Sequence, residues 1–160
     1  MTYDELVTNI RNYTEVDSNV FSNSVIDTFI TMAENKILRD IDLDVFKKES
    51  SGNLTDGNRF LASPSDILTH RYMFITVGTE KVYLDFRDTS FMKEYWADPA
   101  NKSVPKYYSV WDQNTFYIAP TPDSNYAVQL GYIYRPAQLS STNTTTWIST
   151  NSPEALLYAT

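Results

Sequence analysis

The chain has 160 residues, of which 42% are apolar and 14% aromatic, with a formal charge of −7 and no cysteine. That length suits one domain, or one domain with a helical appendage, and the apolar content is enough for a core of its own. The acidic balance argues against a cationic sheath for gripping phosphates, and the missing thiols exclude disulfides, thiolate zinc sites and cysteine catalysis.

Thr2 to Tyr13 reads as the first helix. Thr2 and Glu5 have capping-box spacing, and Tyr3, Leu6, Val7, Ile10 and Tyr13 form an apolar stripe at helical intervals. Glu15 to Asn19 interrupts that pattern. Phe21 to about Ile41 reads as a second, longer helix, with Ser22 as N-cap and Phe21 and Ile26 spaced as a hydrophobic staple. Its wide apolar face comprises Val25, Ile26, Phe29, Ile30, Ala33, Ile37, Leu38 and Ile41, with Asp27, Glu34, Lys36 and Arg39 mostly off it.

From Asp42 onward the signals are those of strands and turns. Val45 to Ser50 is expected to be an edge strand guarded by Lys47 and Lys48. Ser51-Gly52-Asn53 and Thr55-Asp56-Gly57-Asn58 read as turns, and Arg59 to Ala62 as a short extended piece. Thr69 to Val77 and Glu80 to Phe86 flank Gly78-Thr79 as a hairpin. Asp88 is placed to cap a short helix that ends before Pro99.

The stretch Pro105 to Pro136 reads as three short antiparallel strands: Lys106 to Trp111, Thr115 to Ala119, and Tyr126 to Arg135. In the last, Tyr126, Val128, Leu130, Tyr132 and Tyr134 share one face, which is the period of a half-buried strand. Pro120 and Pro122 stop the ladder before it. Ser140 to Thr146 reads as a polar loop of low order. Asn151-Ser152 followed by Pro153 and Glu154 signals a C-terminal helix. Two apolar turns are unstable alone, so the helix either docks on the core or continues beyond Thr160; the second is the expectation.

The expected class is therefore α+β: an N-terminal helical hairpin, an antiparallel sheet or sandwich of about 6–8 short strands, one inserted helix, and a C-terminal helix from near Pro153. Expected boundaries are 1–42 for the helical layer, 43–150 for the β domain with its helix at 89–97, and 151–160 for the closing helix.

Catalytic signals are weak. His70 is the single histidine, at the start of a strand, and a structural role is expected for it. Asp40, Asp42 and Asp44 alternate, but they lack the glycine and distal glutamate of a calcium loop. No P-loop, nucleophile elbow or dinucleotide fingerprint is present. No enzyme activity, cofactor or metal is expected. The clustered tyrosines and tryptophans could stack sugars or bases, but single-strand binders add a basic groove, and this region carries only Lys106 and Arg135. Core and subunit-interface packing is the better reading of them.

The order of parts resembles the adaptor proteins at the head-to-tail junction of tailed bacteriophages, especially the tail-tube-A type of short-tailed phages. The resemblance lies in DELVTNIRNY and SVIDTFITMAENKILRDI, in Leu61 to Leu68 (LASPSDIL) entering a hairpin, in the whole of Pro105 to Pro136, and in WISTNSPEALLYAT. It implies a structural protein of the virion neck. Such adaptors form a ring of typically about twelve copies beneath the portal, join it to the tail tube or nozzle, and leave a channel for DNA. An acidic lumen would repel passing phosphates. No sequence-specific DNA contact and no membrane contact are implied. Ring closure needs two different patches per subunit. The candidates are Tyr3, Ile10 and Phe29 of the helical layer, Tyr117, Tyr132 and Tyr134 of the sheet, and Asp123 and Asn125 of the loop between. The alternative reading is a carbohydrate- or receptor-binding β module of a phage tail.

Overall fold

The computed structural model describes residues 1–41 and 44–160. Its fold is α+β, and its contacts divide the chain into two compact units, Met1–Leu43 with Arg135–Thr160, and Asp44–Tyr134.

In the first unit the capping box starts helix α1, Tyr3–Thr14. The Thr2 amide donates to Glu5 at 2.7 Å and the Glu5 amide to Thr2 Oγ1 at 3.3 Å, so two donors with no partner inside the helix are satisfied. Glu15 ends the helix in the left-handed conformation with φ of 55°. Tyr3, Leu6, Val7 and Ile10 are buried, as the stripe requires, whereas Tyr13 is exposed and meets Tyr158 edge-on.

Helix α2 spans Asn23–Asp40, with Ser22 at the N-cap but making no side-chain cap bond. Arg11 instead grips this start, donating to the Phe21 carbonyl at 2.9 Å and to Asn23 Oδ1 at 2.6 Å. Phe21 packs on Phe29, centroids 5.7 Å apart. Only Ile26, Ile30, Ala33 and Glu34 of α2 are buried. Glu34 was expected off the apolar face, but it lies inside because it accepts the Leu139 amide at 3.0 Å and the Thr146 hydroxyl at 3.4 Å.

The loop 140–146 is well bonded rather than loose. Asn143 donates to the Ala137 and Gln138 carbonyls, and the Tyr3 amide to the Thr144 carbonyl. It leads into a helix that the sequence did not announce, α4, Trp147–Asn151, capped reciprocally by Thr146 and Ser149. Helix α5, Pro153–Ala159, follows with proline in its first turn. It packs on α2 and buries Leu156, so this helix docks on the core.

The second unit opens with a 3-10 turn, Asp44–Phe46, and holds seven strands and one helix: β1 Lys47–Leu54, β2 Phe60–Ala62, β3 Ile67–Val77, β4 Glu80–Phe86, helix α3 Thr89–Tyr95, β5 Tyr107–Asp112, β6 Thr115–Ala119 and β7 Tyr126–Tyr134. The strand order is β1-β7-β3-β4-β5-β6-β2, and all pairs are antiparallel except β4 with β5. The hairpin β3–β4 turns at Gly78, whose φ of 63° suits glycine. Asp88 caps α3, accepting the Ser90 amide at 2.8 Å.

Two sequence expectations change here. Ser51-Gly52-Asn53 is not a turn. It continues β1, because β7 offers a ladder running from Lys47↔Ile133 to Leu54↔Tyr126, and that run of backbone bonds outweighs local turn preference. The three strands of Pro105–Pro136 do not lie together either. β5 and β6 pair, but β7 crosses to the other end of the sheet, between β1 and β3. The predicted face of β7 is nonetheless correct. Val128, Leu130 and Tyr132 enter a core with Leu54, Met73, Ile75, Leu84, Tyr108, Phe116 and Ile118, and Tyr126 and Tyr134 pack at its margin.

Candidate functional site

Among the described residues no three His, Cys, Asp or Glu side chains group as metal ligands. Of the alternating aspartates, Asp42 lies outside the described residues. Asp40 pairs with Arg39, and Asp44 with Lys47 at 3.0 Å. His70 is half-buried, 3.1 Å from the Tyr108 hydroxyl and with its ring 4.5 Å from that of Phe86. Burial, helped by the charge of Arg71, lowers its pKa and favours the neutral ring. Among the described residues no helix is long and apolar enough to cross a membrane.

The candidate contact residues fall into two groups by exposure. Tyr3, Ile10, Tyr117 and Tyr132 are buried within the chain itself. The Tyr3 hydroxyl donates to Asp27 at 2.6 Å, and burial together with that carboxylate pushes its pKa up to about 12. Tyr132 donates to Asp66 at 2.9 Å, and Asp66 also pairs with Lys48 at 2.9 Å. Phe29 and Tyr134 are half-buried; Tyr134 meets Phe46 edge-on and lies under Lys48. Tyr132 and Tyr134 share the core-facing side of β7, whereas Tyr117 sits on β6 in a separate cluster.

Asp123 and Asn125 are exposed and close together. Their loop is braced rather than free. Tyr126 donates to Asp123 at 2.6 Å, which pushes the tyrosine pKa up to about 12. The Asp56 amide donates to Asn125 at 2.9 Å, the Gly57 amide to the Pro122 carbonyl at 2.9 Å, and Lys102 pairs with Asp56 at 2.9 Å. Pro120-Thr121-Pro122 does not project. All three residues are buried, and only 123–125 reach solvent.

Sequence reasoning missed the reason for that burial, which is Arg59. Its guanidinium is almost enclosed, and it donates to Thr121 Oγ1 at 2.8 Å, to the Tyr117 hydroxyl at 2.6 Å and to the Asp98 carbonyl at 3.3 Å. Tyr117 in turn stacks on Trp111, with Phe60 edge-on to both and Lys93 over Trp111 at 4.4 Å. Trp111 and Phe60 are about two-fifths exposed, at 40% and 43%. A second aromatic group, Tyr72, Phe74 and Tyr83, lies farther along the same face of the sheet, the one turned away from the core, and the alternation of Thr69–Val77 was the available signal for it. Glu49 accepts from both Tyr72 and Gln129 there.

Taken together, the residues form aromatic-backed surfaces and a braced loop that carries Asp123, an arrangement suited to protein contact. No curated protein matches the chain. The family model described as SU10 adaptor protein matches residues 1–160, the whole length. The chain therefore belongs to the SU10 adaptor protein family and is a phage adaptor protein.

Proposed function

We propose that this adaptor forms a closed ring of about twelve copies in the neck of the virion, where it joins the portal to the tail tube or nozzle and lines a channel for DNA. Family membership carries this reading. The formal charge of −7 per chain supports it, since an acidic wall repels phosphates and keeps DNA from adhering as it passes. A ring needs two different patches per subunit. The exposed Asp123 and Asn125, braced by Tyr126 and by the turn at Asp56, form one candidate patch. The half-buried Phe29 and Tyr134 are candidates for the edges of others, whereas Tyr3, Ile10, Tyr117 and Tyr132 are buried within the chain and could act on a neighbour only through the residues that cover them.

Mass photometry and electron microscopy of the purified chain with its portal test the reading. The expected result is a ring-shaped complex that loses subunits when Asp123 and Asn125 are both replaced by lysine, with circular dichroism unchanged. A chain that stays monomeric and ignores the portal would sink it.

A further inference from the structure

β1 ends the sheet, and among the described residues no strand pairs with its outer edge. Its first part is guarded. Lys47 pairs with Asp44 and Lys48 with Asp66, and charges along an edge discourage a neighbouring strand. The guard stops at Glu49, and Ser50, Ser51, Gly52 and Asn53 are small and uncharged.

The same four residues leave the core incompletely covered. On the core-facing side β1 places Ser50 opposite Leu130 and Gly52 opposite Val128. Neither brings an apolar side chain. A cleft of about 230 Å³ opens there between β1 and β2, with Leu61, Val128 and Leu130 as its apolar lining and Ser50 and Ser63 on its rim. Gly52 is required neither by its backbone, since only Gly57 and Gly78 have positive φ among the glycines, nor by crowding. A Cβ on it would stand 3.5 Å from Val128 Cγ1 and 3.9 Å from Leu61 Cδ1, which is ordinary contact. What the glycine does is keep the cleft open.

We propose that this cleft is a socket for an extended segment of a partner protein, which adds a strand to the free edge of β1 and inserts one aliphatic side chain over Leu61, Val128 and Leu130. Three features define the occupant. The unpaired edge presents donors and acceptors in register for another extended backbone. The cleft has room for a valine, isoleucine or leucine side chain. Its hydroxyl rim offers no counter-charge, so the inserted residue is uncharged. This socket stands apart from the ring reading and needs no closed ring to operate.

The test is a nitrogen-15 NMR titration of the full chain with capped pentapeptides Ser-Thr-Xaa-Thr-Ser, Xaa being valine, leucine or aspartate. Valine and leucine peptides are expected to shift the amides of Ser50–Asn53 and Leu61–Ser63 saturably. The aspartate peptide should bind at least roughly tenfold more weakly, the worth of burying one aliphatic side chain. Gly52→Val should fill the cleft, raise the Tm and abolish the shifts. Ser50→Leu fills the same space and replaces it if Gly52→Val does not fold. The socket is overturned if no peptide gives saturable shifts up to millimolar concentration, if the shifts spread across the sheet, or if they survive in the cleft-filling variant.

Discussion

Gly131 has no room for a side chain. It lies on β7 beneath the Tyr72 ring, and a Cβ there would fall 2.3–2.8 Å from three ring carbons. Gly131→Ala must push that ring away from Phe74 and from its bond to Glu49. A loss of about 1–3 kcal/mol in urea denaturation is expected, as for other overpacked sites; a variant as stable as the parent would show that the ring moves freely. Glu34 poses a different problem. The residue is 2% exposed and, among the described residues, has no cation paired with it, so burial raises its pKa above 4.5, although the Leu139 and Thr146 bonds pull the other way. The folded state therefore holds this proton more tightly than the unfolded one. The resulting stability is complete below about pH 4.5 and is lost as the pH rises through the folded pKa. Glu34→Gln keeps an acceptor for the Leu139 amide and carries no charge. It should remove this decline, so that the difference in urea midpoint between the two proteins changes with pH in that window and is flat below it. Glu34→Ala orphans the amide and should cost about 1–3 kcal/mol.

Among the elements, the link between β2, β6 and the buried Pro120-Thr121-Pro122 segment depends on one side chain. Arg59 serves Tyr117, Thr121 and Asp98 at once, with its guanidinium 5.2 Å from the Tyr117 ring centroid. Arg59→Ala leaves these acceptors inside without a donor and should cost about 2–4 kcal/mol. Arg59→Lys should recover little, because an ammonium does not present the fork of donors that reaches three partners. Trp111 stacks on Tyr117, so its fluorescence reports the change; normal unfolding of Arg59→Lys would show that charge alone suffices. The same node explains why Pro-Thr-Pro, which reads as a break in the ladder, is buried. Each proline does end the ladder, but the hydroxyl between them is held by an arginine about sixty positions earlier. No local pattern contains that partner.

For the whole molecule, the charge of −7 predicts behaviour toward nucleic acid. At about 50 mM salt, where phosphate-gripping proteins bind tightly, the purified chain is expected to leave the mobility of duplex DNA unchanged. A shifted band that disappears at higher salt would count against an acidic channel wall. Much of the fold was legible without coordinates: the capping box of α1, the register of burial along β7, the Asp88 cap and the Gly78 hairpin. Each is a signal carried by residues a few positions apart, where periodicity and backbone chemistry act directly. The candidate contact residues were legible only in part. Asp123 and Asn125 are at the surface, where turn residues belong, but periodicity cannot tell a tyrosine buried in its own core, such as Tyr132, from one that faces a neighbour. The sequence by itself determined the α+β class, most of the element types and the acidic, thiol-free chemistry. Only the tertiary structure decided that β7 leaves β5 and β6 for the far end of the sheet, that β1 runs through Ser51-Gly52-Asn53, and that Glu34 and Arg59 are enclosed. Those outcomes depend on hydrogen-bond partners tens of residues away, and such pairings are fixed by the packing of the whole chain, not by the preferences of any short stretch of it.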